Sequence, residues 1–315
     1  MGKIEDELES QARQMDNLLR DLAPLIPFFE TKSVTDIYVY GSGKVQIKDF
    51  QDGAIDTGIT LSQAERMRIV NSLASVCGTP IDKWERPTLE SIIPKYNIRT
   101  TAIIQPWLAS AEIAFRRPAD KIFTLEEYLA QGRLSQPLYD KITEHIEKRS
   151  NIVISGATGS GKTTFTNAVI EKMVQLTPQE RFYIVEDTPE LQCQSPNKTQ
   201  LYIRKDQAVA AIQTALRWTP DRIIFGELRS PEMTVELLQA WNTGHPGNCT
   251  TIHADSAALT LPRIEGLLRQ VIIGQLPDLG DAIQLVVHLK KRPGLGPAVN
   301  EALTVTEITE AAKKL

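Results

Sequence analysis

The sequence predicts an α/β protein in two parts, a C-terminal domain with a mostly parallel sheet preceded by a smaller α+β domain. Three observations carry this expectation. From Leu138 onward, apolar strand candidates alternate with helical stretches, the pattern of βαβ units covered on both faces. Before about residue 120, short strands gather around one or two helices with hairpin and turn signals. At the centre, the apolar run Ile152–Ser155 passes directly into a glycine-rich bend and then a helix.

Residues 1–22 read as a polar, acidic helix. Leu22–Phe29 is apolar but broken by Pro24 and Pro27, and packing against the domain is expected over contact with a membrane surface. Val34–Tyr40 and Lys44–Ile47 flank Gly41-Ser42-Gly43 and read as a hairpin. Leu61–Val76 has helical periodicity and ends at Gly78-Thr79-Pro80. Strands are expected at Thr88–Pro94, Arg99–Ile104 and Glu112–Arg116, with Pro118 stopping the sheet pattern. Residues 1–120 thus form the α+β domain, 121–136 an interdomain linker with a short helix and turn, and 137–315 the second domain. There the strand candidates are Ile152–Ser155, Arg181–Glu186, Gln200–Ile203, Arg222–Phe225, Asn248–Ile252 and Leu285–Leu289. Helices near 164–175, 206–217, 231–242 and 256–271 lie between most of them.

The bend reads Gly156-Ala157-Thr158-Gly159-Ser160-Gly161-Lys162-Thr163-Thr164. Glycines let the backbone curl so that its N–H groups converge on one point. A helix starting there adds free donors and partial positive charge. This is a phosphate loop: the backbone cradles phosphates, Lys162 reaches the β/γ oxygens, and the Thr163 hydroxyl ligates Mg²⁺. A nucleoside triphosphate is the expected ligand. At neighbouring strand ends stand Glu186, Asp187, Thr188 and Glu190, and Glu227 after Gly226, carboxylates suited to orienting a metal-bound or attacking water. His245 and His253 bracket the strand candidate Asn248–Ile252, which would place both near the end-loops of the sheet as phosphate contacts. Zinc is disfavoured, since two histidines eight residues apart lack further ligands at a suitable spacing. A transferring γ-phosphate needs charge from outside the loop; Arg99, Arg116, Arg117, Arg217, Arg222 and Arg229 are the candidates.

The formal net charge of −4 in 315 residues argues against a duplex-DNA binder, so no direct sequence-specific nucleic-acid binding is expected. Three scattered cysteines without a CxxC pair point to a reducing compartment. No stretch reaches the ~20 apolar residues of a membrane span, and the acidic N-terminus lacks the apolar region of a signal peptide.

Taken in order, these motifs resemble the VirB11/TrbB family of secretion and conjugation ATPases over residues ~34 to ~290. The blocks are the phosphate loop Gly156–Thr163, Ile184–Leu191 as the Asp box, Leu216–Arg229 as the Walker B segment, and Asn242–Gly247 through Thr251–Ala254 as the His box. Phe115-Arg116-Arg117-Pro118, with Arg99 upstream, resembles the N-domain arginine motif, and Glu-Asp-Thr-Pro-Glu-Leu-Gln-Cys is most similar to the TrbB branch. The resemblance implies a RecA-like P-loop domain and a homohexameric ring, cytoplasmic and peripheral on the inner membrane. It also implies ATP and Mg²⁺ as cofactors and docking onto inner-membrane components of a type IV secretion or conjugation machine. ATP would lie between the two domains, with Arg99 and Arg116 closing on it, His253 beside its phosphates, and Glu186 or Glu227 preparing the water; the sequence does not rank these two carboxylates. Glu227 and Thr163 would serve the metal. Ser230 stands where the family has glycine, Asp255 where it commonly has asparagine, and the segment Lys291–Pro297 lacks the usual arginine after glycine, so that segment is assigned no role. The alternatives are a type IV pilus or type II secretion ATPase, a RecA-like nucleic-acid motor, and a nucleotide switch with negligible turnover.

Overall fold

The computed structural model describes residues 2–49, 52–117 and 122–312; Pro118 and the start of the expected linker lie outside them. The chain divides into two compact units, Met1–Asp120 and Lys121–Leu315.

The first unit comprises α1 (Gly2–Asp21), α2 (Ile26–Glu30), β1 (Val34–Val39), β2 (Lys44–Asp49), β3 (Gly53–Thr60), α3 (Gln63–Val76), β4 (Thr88–Ile93), β5 (Ile98–Ile103) and β6 (Glu112–Arg116). Its six-stranded sheet has the order β3-β2-β1-β6-β5-β4, and every described pairing is antiparallel. Alternate residues such as Ile37, Val39 and Ile113, Phe115 face the core, as period-two patterning requires; an irregularity between Val34 and Asp36 lets Val34 do so too. Leu22, Leu25 and Phe29 of the proline-broken segment are buried in that same core, so this apolar stretch packs inward. Strand β3 was not expected. Its burial alternates only between half-exposed and exposed, because it is an edge strand paired with β2; only Ile55 and Ile59 pack on the core, a short apolar signal interrupted by Asp56 and Gly58.

The second unit holds α4 (Leu125–Ala130), α5 (Gln136–Glu147), β7 (Ile152–Gly156), α6 (Lys162–Leu176), β8 (Phe182–Glu186), β9 (Lys198–Tyr202), α7 (Ala208–Trp218), β10 (Arg222–Glu227), α8 (Pro231–Asn242), β11 (Cys249–Ile252), α9 (Thr260–Leu268), α10 (Leu279–Ala282), β12 (Leu285–Arg292), β13 (Gly296–Thr304) and α11 (Val305–Ala312). Its sheet runs β13-β12-β7-β11-β10-β8-β9. All pairings are parallel except β12 with β13. Ile152, Ile154, Phe182, Ile184 and Val287 pack beneath α4, α5 and α6 on one face. Val153, Val185, Ile223, Phe225 and Val286 pack against α7, α8 and α9 on the other. Burial on both faces explains why these strands read as continuous apolar runs. Leu125, Tyr128 and Leu134, within the stretch expected to be the linker, are buried in this second core.

Candidate active site at the phosphate loop

Strand β7 delivers Gly156 to the carboxyl edge of the parallel sheet, where ligands of open α/β sheets bind. The bend that follows is tight: a Cβ on Gly156 would sit 2.6 Å from the Leu289 carbonyl oxygen. Gly161 precedes α6 in the left-handed region (φ 85°), and no side chain caps the helix. The first-turn N–H groups therefore keep their capacity for an anion.

Lys162 is buried, with Nζ donating to the carbonyls of Gly156 (3.0 Å) and Ala157 (3.2 Å). Burial lowers its pKa, while the Glu227 charge works the other way. His253 Nδ1 lies 3.1 Å from Nζ, so this nitrogen accepts and Nε2 carries the proton toward Glu227. His253 Nε2 is 2.7 Å from Glu227 Oε1. The contact of this neutral ring is close but not aligned as a hydrogen bond, so Oε1 is buried without a hydrogen-bond donor. The other oxygen, Oε2, takes Arg229 Nε and Nη2 at 2.8 and 2.5 Å, and Arg229 Nη1 reaches Asp187 Oδ2 at 2.8 Å.

Glu186 is differently employed. Its Oε2 accepts from the N–H groups of Glu190 and Leu191, both at 2.9 Å, and Oε1 accepts from Gln200 Nε2 at 2.7 Å. These bonds fix the loop after β8, which carries Glu190 to the Thr163 hydroxyl; that hydroxyl donates to Glu190 Oε2 at 3.0 Å. Burial pushes the Glu186 pKa up to about 7, against the lowering effect of its backbone donors. A small cavity of about 40 Å³ is lined by Thr163, Glu186, Asp187, Glu190, Glu227 and Arg229 among others, room for an ion and a water or two. The Thr163 hydroxyl and the carboxylates around the cavity are hard oxygen donors of the kind that could hold Mg²⁺.

The type II/IV secretion system protein family matches residues 19–295. A conjugal transfer protein TrbB from Rhizobium radiobacter is 32% identical over 302 residues, covering 95% of this chain and 92% of that protein. A type IV secretion system protein VirB11 from Bartonella quintana is 30% identical, covering 80% of this chain and 81% of its own length. In fold, the Legionella pneumophila ATPase DotB superposes with a TM-score of 0.69 at 21% identity, covering 93% of this chain and 86% of its own.

The chain belongs to the type II/IV secretion system protein family. It is an ATPase of the type IV secretion and conjugal-transfer kind.

In this secretion ATPase, Gly156–Thr164, Glu186, Glu227 and His253 come together at one edge of the second unit's sheet. Two expectations need correction. His245 does not join His253: it precedes β11 whereas His253 follows it, and its carbonyl accepts from Asn248 at the amino edge of the sheet. A parallel strand separates what comes before it from what comes after. Arg222 is not a phosphate contact either. It is 1% exposed and pairs with Glu180, donating also to the Gly247 carbonyl (2.7 Å) at that same far edge. Arg229 alone of the second-unit arginine candidates bonds to the carboxylates of the site. In the first unit Arg99 and Arg116 are cross-strand neighbours on β5 and β6, and Arg116 Nε pairs with Asp36 Oδ1 at 2.9 Å. Arg117 donates to the carbonyls of Phe28 and Phe29, a structural role. Sequence reasoning missed His288, buried on β12 with Nδ1 3.0 Å from Ser155 Oγ; a lone histidine in the apolar run Leu285–Leu289 was its only signal. It missed Pro297 as well, whose ring stands against Gly161.

Proposed function

We propose that this ATPase cleaves the γ-phosphate at the phosphate loop of its second unit, with Glu227 preparing the water and Glu186 holding the loop that carries Glu190. One observation carries the choice. Glu227 has a buried oxygen lacking a donor and a neighbour in His253, which also contacts Lys162, whereas both Glu186 oxygens are occupied by its own loop and Gln200. Glu227 can accept a water proton; Glu186 is committed to backbone donors. Lys162, released from its two loop carbonyls, turns its charge to the β/γ oxygens, and His253 follows that movement because its ring nitrogen faces Nζ. Thr163 and Glu190 would hold Mg²⁺ directly and Glu227 through a water, and the ion would supply charge neutralisation of the triphosphate. Arg116 and Arg99 supply cationic charge from outside the loop, with Asp36 competing for Arg116.

The proposal extends to a homohexamer, cytoplasmic and peripheral on the inner membrane, that converts turnover into pilus assembly or DNA transfer through a type IV secretion or conjugation machine. The relatives' names support the system, and no described helix is long and apolar enough to cross a membrane. The test is a pair of variants. Lys162→Ala is expected to lower ATP turnover by about 10²-fold or more with the fold retained. Glu227→Gln should co-purify with ATP, whereas Glu186→Gln should not. Rapid turnover by the Glu227 variant would transfer the role elsewhere.

A further inference from the structure

The β12–β13 hairpin, whose Lys291–Pro297 segment had no assigned role, reaches the phosphate loop. An ideal Cβ on Gly161 would stand 2.5 Å from Pro297 Cβ and 3.0 Å from its Cγ. The pyrrolidine ring therefore rests directly on the residue that starts α6. Pro297 is gripped in turn. Arg133, in the connection between α4 and α5, donates from Nε to the Pro297 carbonyl at 2.7 Å. The Arg133 carbonyl accepts from the Val299 N–H at 2.9 Å. Two bonds to alternate residues of β13 make a staple of one residue. Its guanidinium lies 4.8 Å from the Tyr128 ring centre and 5.7 Å from that of Phe123, an attraction of cation and π face that fixes the plane. Tyr128 is fully buried and meets Phe165 edge-on at 5.2 Å, and Phe165 sits in the first turns of α6.

The geometry points to Arg133 as a positioning residue of the phosphate loop. Through Pro297 it holds Gly161 in the left-handed conformation from which the first-turn N–H groups of α6 are aimed. Preorganised donors lose their value when displaced by about 1 Å. The loop's glycines confer no stiffness of their own, so rigidity must come from a neighbour; the Arg133–Pro297 contact supplies it. Arg133 itself touches no phosphate, and its role as a positioning residue depends on where the phosphates bind. It rests on the phosphate-loop assignment, which Lys162→Ala tests separately by removing tripolyphosphate binding altogether.

The experiment compares binding of ATP and of inorganic tripolyphosphate, each with Mg²⁺, to the full chain and to Arg133→Met, Pro297→Gly and the double variant. A positioning role gives about tenfold weaker binding of both ligands in each single variant. The double variant should be no weaker than the worse single one, since both act through one contact. Three outcomes would overturn the inference: loss for ATP alone, which would make Arg133 a nucleoside contact; unchanged affinities with only a lower Tm, which would make it structural; or additive losses. Should Arg133→Met fail to fold, Pro297→Gly decides alone, because it leaves Arg133 its aromatic neighbours.

Discussion

Glu186 shows how one residue type serves two ends at the same sheet edge. The residue is 2% exposed, and burial raises its pKa to about 7 even though two backbone N–H groups bond to it. Gly226 makes room for it, because a Cβ there would lie 3.2 Å from Glu186 Cβ. The folded protein therefore holds the Glu186 proton more tightly than the unfolded chain does. That contribution is fully present below about pH 4.5 and is lost as pH rises through about 7, with an upper size on the order of 3 kcal/mol. Wild-type Tm should accordingly fall between pH 5 and pH 8, and Glu186→Gln should show a flatter profile. Parallel profiles would mean that Glu186 ionises normally. The sequence named Glu186 and Glu227 but could not rank them. Their difference lies in which oxygens find donors, and those donors come from Gln200 and the Glu190–Leu191 backbone.

Among the elements, the far edge of the second sheet is pinned by a buried ion cluster. Glu180 before β8 takes Arg222 at the start of β10 and Arg149 before β7, while Arg149 also donates to the Asp221 carbonyl at 2.7 Å. Arg222 reaches Gly247 ahead of β11, so the cluster aligns four parallel strands. Glu180→Ala strands a buried guanidinium, for which a loss of ~3–5 kcal/mol is expected. Chemical denaturation should register that loss while the folded fraction still binds ATP. Impaired nucleotide binding at full occupancy of the fold would show the two edges to be coupled. From sequence, Arg222 looked like one cation among several, because an ion pair is invisible until Glu180, 42 positions earlier, is brought beside it. Strand β3 was hidden for a related reason: its order comes from pairing with β2, whereas β7 and β8 announce themselves by burial on both faces.

For the whole molecule, the proposed ring is the statement with the widest reach. Native mass measurement with a non-hydrolysable ATP analogue and Mg²⁺ should give six copies of the chain; a monomer at saturating nucleotide would remove the ring and the motor with it. Arg116→Ala should weaken ATP more than ADP, and equal losses would leave Arg116 as the partner of Asp36. The sequence alone determined the parallel core, the phosphate loop and the family, since these rest on local periodicity and on residues contiguous in the chain. The tertiary structure alone decided which carboxylate has an oxygen lacking a donor, that His245 and His253 part company, and that Pro297, held by Arg133, meets the loop. Each of those depends on which distant segments share a sheet edge, and a strand's two ends, adjacent in sequence, are separated in space by its full length.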